Sequence, residues 1–183
     1  MNNRRRCVTI FLSLLLASGT PLRADHPPPW LVSKRAILPS ILGLSLGHSS
    51  LRAACAILGQ PNAKHDLTNF PGEAEYVWKL ERLTVTGTTM YASANRTRDT
   101  ETLYAVEILG SGARRLTSDD IRIGSSFAAV VNAFGCKYLT DWRPPKRNEA
   151  KVITFIFQDD SELSAAFDDR GALVRLFARV ATE

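Results

Sequence analysis

The amino-acid sequence predicts an α+β fold of two tandem repeats, each a short helix packed on an antiparallel β-meander. Two observations lead there. The first is a self-similarity between residues 44–59 and 121–135. With His48 deleted, Gly47 aligns with Gly124, Ser50 with Ser126 and Gly59 with Gly135. Leu51, Ala54, Cys55 and Leu58 then fall on Phe127, Val130, Val131 and Phe134, an apolar face at helical spacing in both copies. The second is that each helix precedes segments of strand character. These are 75–85, 90–95 and 103–109 after the first, and 151–158, 162–167 and 173–180 after the second. Tyr104, Val106 and Ile108 align with Val174, Leu176 and Ala178, so the strand phase recurs as well.

Taken in order, residues 1–24 read as a secretory signal peptide. Arg4-Arg5-Arg6 form the charged start, and an apolar stretch of 13 residues runs from Cys7 to Gly19. A membrane span needs roughly 20 apolar residues, and Thr20-Pro21 closes this stretch early. Small residues offer cleavage after Gly19 or after Ala24. Residues 25–40 follow as a proline-rich arm, where Pro27-Pro28-Pro29 favours a stiff, extended tether. The first repeat spans 41–109. Ser49 or Ser50 caps its helix, Gly59 ends it, and Pro61 prevents its continuation. Gly110-Ser111-Gly112 opens a linker over 110–117. The second repeat spans 118–183, with Ser125 or Ser126 as cap and Gly135 as terminator. Asp159-Asp160-Ser161 and Asp168-Asp169-Arg170-Gly171 form tight turns between its strands.

Composition excludes several classes. Apolar residues make up 45% of the 183, too many for a disordered chain, and three cysteines are too few for a disulfide scaffold. The net charge of +5 points at nucleic acid, but its distribution does not. Of the 23 Lys and Arg, four precede Asp25, which leaves 19 against 18 acidic residues after the leader. A nearly neutral mature chain lacks the basic surplus that phosphate contacts require, so no nucleic-acid partner is expected. Export to the periplasm or medium, without stable membrane insertion after cleavage, is the expected location.

The search for chemistry starts from the three histidines, His26, His48 and His65. His65-Asp66 could orient an imidazole toward Cys55, which would make a small secreted thiol hydrolase; this is the alternative function. Cys55 lies on the apolar stripe of its helix, where a thiol is protonated and inert. No metal-ligand spacing and no phosphate-cradling glycine loop occurs, so neither a metal nor a cofactor is expected. Cys55 and Cys136 are the two cysteines left after cleavage and form the one possible disulfide.

A non-enzymatic role rests on the sheet face away from the helices. Val174, Leu176, Ala178 and Val180 should face the helix, so Arg175, Phe177 and Arg179 point away. The segment 151–158 is apolar on both faces, with Val152 and Ile156 on one and Ile153, Phe155 and Phe157 on the other. A two-layer repeat buries one face, and the second calls for the neighbouring repeat, an oligomer mate or a protein partner. Arg175, Phe177, Arg179, Phe155 and Phe157 are the candidate partner-binding residues, with Trp142 as a rim anchor in the long connection. The partner would be another protein.

The run from Leu46-Gly47 through Ser49-Ser50 to Gly59-Gln60-Pro61 resembles the helix module of two related groups. One is the small outer-membrane lipoproteins of the β-barrel assembly machinery. The other is the β-lactamase-inhibitor-protein-like group of tandem helix-plus-sheet repeats, which the second copy here favours. The resemblance covers about residues 41–180. It implies a concave sheet surface that binds another protein, as an inhibitor or an envelope-assembly accessory. The chain departs from the lipoproteins in lacking a lipobox cysteine, since Cys7 precedes the apolar stretch. Its second copy has Cys136-Lys137 where the first has Gln60-Pro61.

Overall fold

Strand pairing, more than helix packing, decides the architecture. The computed structural model describes residues 30–68, 72–91, 101–135 and 152–181. Its strands are β1 (Trp30–Val32), β2 (Ala63–Asp66), β3 (Glu73–Leu80), β4 (Leu83–Tyr91), β5 (Glu101–Gly110), β6 (Val152–Ile156), β7 (Glu162–Phe167) and β8 (Leu173–Arg179). Two eight-residue helices accompany them, α1 (Leu51–Leu58) and α2 (Phe127–Phe134). All eight strands form one mixed sheet in the order β1-β6-β7-β8-β5-β4-β3-β2.

This corrects the expectation of two tandem helix-plus-meander repeats. The last strands of the two halves, β5 and β8, pair antiparallel with each other from Ala105↔Arg179 to Leu109↔Arg175. Two separate meanders would each expose an edge of unpaired N–H and C=O groups there. Joining them satisfies both edges and fuses the halves into one sheet over one core. The outermost strands also differ in kind. β2 is an antiparallel neighbour of β3, whereas β1 comes from the chain's beginning and runs parallel to β6.

Within each strand, alternate residues go to the core. Ala74, Tyr76 and Trp78 of β3, Val85 of β4, Val106 and Ile108 of β5, and Leu176 and Ala178 of β8 are buried on one face. Leu163 and Ala165 of β7, Ile153 and Phe155 of β6, and Leu31 of β1 continue that face. Both helices lie on it. Leu51, Ala54 and Leu58 of α1 are buried, and Trp78 Nε1 donates to the Gly59 carbonyl at 2.9 Å. Phe134 of α2 packs on Phe155 with ring centroids 5.4 Å apart, and Phe127 on Phe167 at 5.1 Å.

The caps sit where the serines and glycines place them. Ser50 Oγ accepts from the Ala53 amide and Ser126 Oγ from the Ala129 amide, each at 3.2 Å. Gly59 (φ 87°) and Gly135 (φ 61°) end the helices with positive φ. Gly47 and Gly124 also have positive φ, and their amides donate to the carbonyls of Leu103 and Leu173, each at 2.7 Å. These two bonds tie the entry of each helix to the sheet.

Three local expectations change. The predicted strand 75–85 is broken by a two-residue turn at Glu81-Arg82, with Glu81 at φ 49°. Val174 faces outward at 39% exposure, because the β7–β8 register shifts between Ala166 and Phe167. The proline-rich arm of 25–40 is part of the fold from Trp30 onward. After β1, Ser33 Oγ, Lys34 Nζ and Arg35 Nε donate to the carbonyls of Phe134, Asn132 and Ala133 at 2.9, 2.7 and 3.2 Å. The last turn of α2 carries no basic residue of its own, and these groups satisfy its orphan carbonyls and oppose its dipole. The leader, residues 25–29 and the connection 136–151 lie outside the described residues.

Candidate functional site

The sheet face opposite the helices carries the candidate site. Directly paired residues share a face, so the registers give its rows. One row reads Glu162, Arg179, Ala105, Thr88, Glu75, His65. The adjacent row contains Thr154, Ser164, Phe177, Glu107, Thr86 and Val77. No helix among the described residues packs on this face.

Ion pairs across strands organise its middle. Arg179 Nε donates to Glu162 Oε2 at 2.9 Å, and Arg175 Nη2 contacts Glu107 Oε1. These four side chains are only 14–21% exposed, so each charge is partly desolvated and depends on its partner. Phe177 is half-buried between Ser164 and Glu107 in the row, with Arg175 and Arg179 two positions away on either side. In the β6–β7 part of the same row, Thr154 and Ser164 are buried and share a hydrogen bond of 2.7 Å. The face therefore presents a preset lattice of aromatic, arginine and carboxylate groups. That composition suits protein contacts, since ordered side chains lose less entropy on docking.

Tyr104 extends the lattice toward β3. It is the extra residue where the β4–β5 register shifts at Thr88/Thr89, and its hydroxyl donates to Glu73 Oε2 at 2.8 Å. Burial first, then the hydrogen bond to Glu73 and the charges of Glu73 and Glu75, push its phenol well above the ordinary 10.0, while Arg179 acts the other way. The folded chain thus holds this proton more tightly than the unfolded chain does. The associated stability is intact below about pH 10 and is lost as pH rises beyond it, because unfolding then releases the proton. Tyr104→Phe is expected to flatten the fall in stability above about pH 10, as read from urea titrations across that range. An unchanged alkaline slope would show that Tyr104 does not carry it.

The residues singled out by the sequence divide. Arg175, Phe177 and Arg179 stand half-buried on the face opposite the helices, and the two arginines are ion-paired within the sheet instead of projecting alone. Phe155 and Phe157 are 0% and 2% exposed in the core, so neither can meet a partner. Trp142 and Cys136 lie outside the described residues. Cys55 is a free thiol, half-buried against the core, and its possible bridge falls on Cys136, outside the described residues. His65 pairs with Glu75 on the face opposite α1, so the sheet separates it from Cys55 and the thiol–imidazole pair is not assembled. Among the described residues, no group of three or more His, Cys, Asp or Glu is placed to hold a metal. No described helix is long and apolar enough to cross a membrane. The acidic turns act as turns: Asp168 Oδ1 accepts from the amides of Arg170 and Ala172 at 2.9 and 2.8 Å.

Sequence reasoning missed Glu107, Glu162, Glu73 and Tyr104. The alignment of Val106 with Leu176 and Ile108 with Ala178 makes Glu107 the counterpart of Phe177 in another repeat, whereas the two stand side by side across β5–β8. Strand alternation puts the three glutamates on the outer face, whereas Tyr104, in phase with the buried Val106 and Ile108, meets Glu73 only because of the bulge at Thr88/Thr89.

No family model matches the sequence, and no curated protein matches it. Among solved structures, a DUF4309 family protein from Bacillus subtilis is similar with a TM-score of 0.42 and 12% identity, over 76% of this chain and 83% of that one. A cysteine-rich secretory protein from Staphylococcus aureus is similar with a TM-score of 0.51 and 13% identity, over 85% of this chain. This chain spans 51% of that structure's length, and the likeness between them is one of fold.

Proposed function

We propose that the protein is an exported, non-enzymatic protein-binding module, an inhibitor or an envelope-assembly accessory, that docks its partner on the sheet face opposite the helices. The observation that carries this reading is the half-buried Phe177 set among two cross-strand ion pairs, Arg175–Glu107 and Arg179–Glu162, on a face that no described helix covers. Aromatic and arginine side chains held in place are the groups that dominate protein interfaces. The leader-like start of the chain and the resemblance of its helix module to envelope and inhibitor proteins point to the same class.

A photo-crosslinking residue at position 177 tests it in an extract of the native compartment. The expected result is one discrete adduct, absent when the crosslinker replaces Ala128, which is exposed on α2 on the other side of the sheet. With that partner purified, Phe177→Ala should weaken binding by about tenfold or more, since losing an interface aromatic costs about 2 kcal/mol. No adduct at 177, or equal adducts at both positions, would remove this face as the binding site.

A further inference from the structure

The segment that opens the described chain is held by the far half of the sequence. β1 lies parallel to β6 with Leu31 opposite Phe155, and the Ser33 amide donates to the Ile156 carbonyl at 2.8 Å. Leu31 and Ser33 are fully buried. Ser33, Lys34 and Arg35 cap α2, Arg35 pairs with Asp119, and the Gln158 amide donates to the Ala36 carbonyl at 3.0 Å. Every one of these partners lies between residues 119 and 158, while Ile41, further along, is tied to Leu44 and Thr117.

The seat for this segment therefore draws its strand pairing, helix caps and ion pair from outside residues 41–110. It offers an unpaired strand edge, a buried leucine slot and three helix-terminal carbonyls. Its occupant arrives on a short exposed link, Ala36-Ile37, before Leu38 and Pro39 rejoin the body. An identical segment from another molecule meets the same seat with the same contacts, and only the link must reverse. Ile37 is 66% exposed, the highest value among the large hydrophobic residues that stand exposed in the described chain. In a symmetric exchange the two links cross at the two-fold axis, which would cover both copies of Ile37.

We infer that the outer edge of β6 and the C-terminus of α2 form a strand-acceptor site that takes residues 30–35 of a second copy of this chain as well as its own. The occupied site is the same in both forms. What changes is which chain supplies the strand, so the exchanged dimer is favoured by concentration and by conditions that loosen the edge.

A cysteine pair reads the exchange directly. Val32 and Ile156 are register partners on the outer face, away from the core. Val32→Cys with Ile156→Cys, in a full chain carrying Cys7→Ala, Cys55→Ala and Cys136→Ala, should bridge within one chain when oxidised dilute. After reduced incubation at high concentration, oxidation should trap a disulfide-linked dimer. Its fraction is expected to rise about tenfold for a tenfold increase in concentration while the dimer is the minor form. Bridges confined to single chains at every concentration would overturn the inference. So would a dimer seen by light scattering whose bridges stay within chains, because that dimer docks elsewhere. Failure of the pair to bridge in either form would remove the β1–β6 register on which the inference stands.

Discussion

Trp78→Ala is expected to lower the stability of the protein by about 3–5 kcal/mol, with a drop in melting temperature on the order of 10 °C. Trp78 is fully buried in the last part of β3, on the face that receives α1. Its neighbours leave it no substitute. Gly87 lies beside it, where a Cβ would come within 3.0 Å of both the Trp78 ring and Leu103, so the missing side chain is space already given to the indole. Removing the ring would leave a cavity that the strand backbone cannot close. It would also remove the donor that Trp78 Nε1 supplies to the Gly59 carbonyl at the end of α1. Trp78→Phe keeps most of the packing and loses that bond, so a smaller cost of about 1–2 kcal/mol is expected. Lys79→Ala, at the exposed neighbouring position, should change stability by less than about 0.5 kcal/mol. Urea unfolding of the three variants checks the series. A loss below about 1 kcal/mol in Trp78→Ala would mean that α1 collapses onto the sheet and refills the site.

Local features were legible where a residue's own chemistry fixes the backbone. Serine oxygens at Ser50 and Ser126, glycines at Gly59 and Gly135, and the Asp168 turn each act within four residues of themselves, and each stands where the pattern places it. What failed depends on choice between partners. Strand character in residues 103–109 and 173–180 does not say which edge each strand will take, and the pairing of β5 with β8 replaced two expected units by one sheet. β1 has three residues and follows three prolines; it is a strand only because β6 offers it an edge. The Glu81-Arg82 turn carries neither glycine, proline, asparagine nor aspartate, so no turn residue marked it. The candidate site was half legible for the same reason. Alternation puts Arg175, Phe177 and Arg179 on the outer face, and the Asp168 turn makes Glu162 a neighbour of Arg179. Glu107, however, reaches Arg175 only through the β5–β8 pairing, which no local pattern encodes.

Gly110 should prove the least replaceable of the positive-φ glycines, although the sequence marks it only as the start of a linker. It pairs with Leu83 at the end of β5 with φ 124°, beside the Glu81-Arg82 turn. A Cβ there would lie 2.1 Å from the Arg82 carbonyl oxygen, a separation that forces the backbone to move. The carbonyl has little freedom to yield, because it accepts from the Ser111 amide at 3.0 Å. Gly110→Ala therefore combines an unfavourable dihedral with a clash that breaks this bond or the adjoining ladder, and a cost of about 3 kcal/mol is expected. Gly59→Ala is the comparison that separates the two causes. Gly59 has a similar handedness (φ 87°), but its Cβ would meet nothing within 4 Å. Only the dihedral opposes it, at about 1–2 kcal/mol. In urea, Gly110→Ala should lower the unfolding midpoint clearly more than Gly59→Ala at unchanged slope. Equal losses would mean that the dihedral alone sets both costs, and that the β3–β4 hairpin moves aside for the methyl group without losing its bond to Ser111.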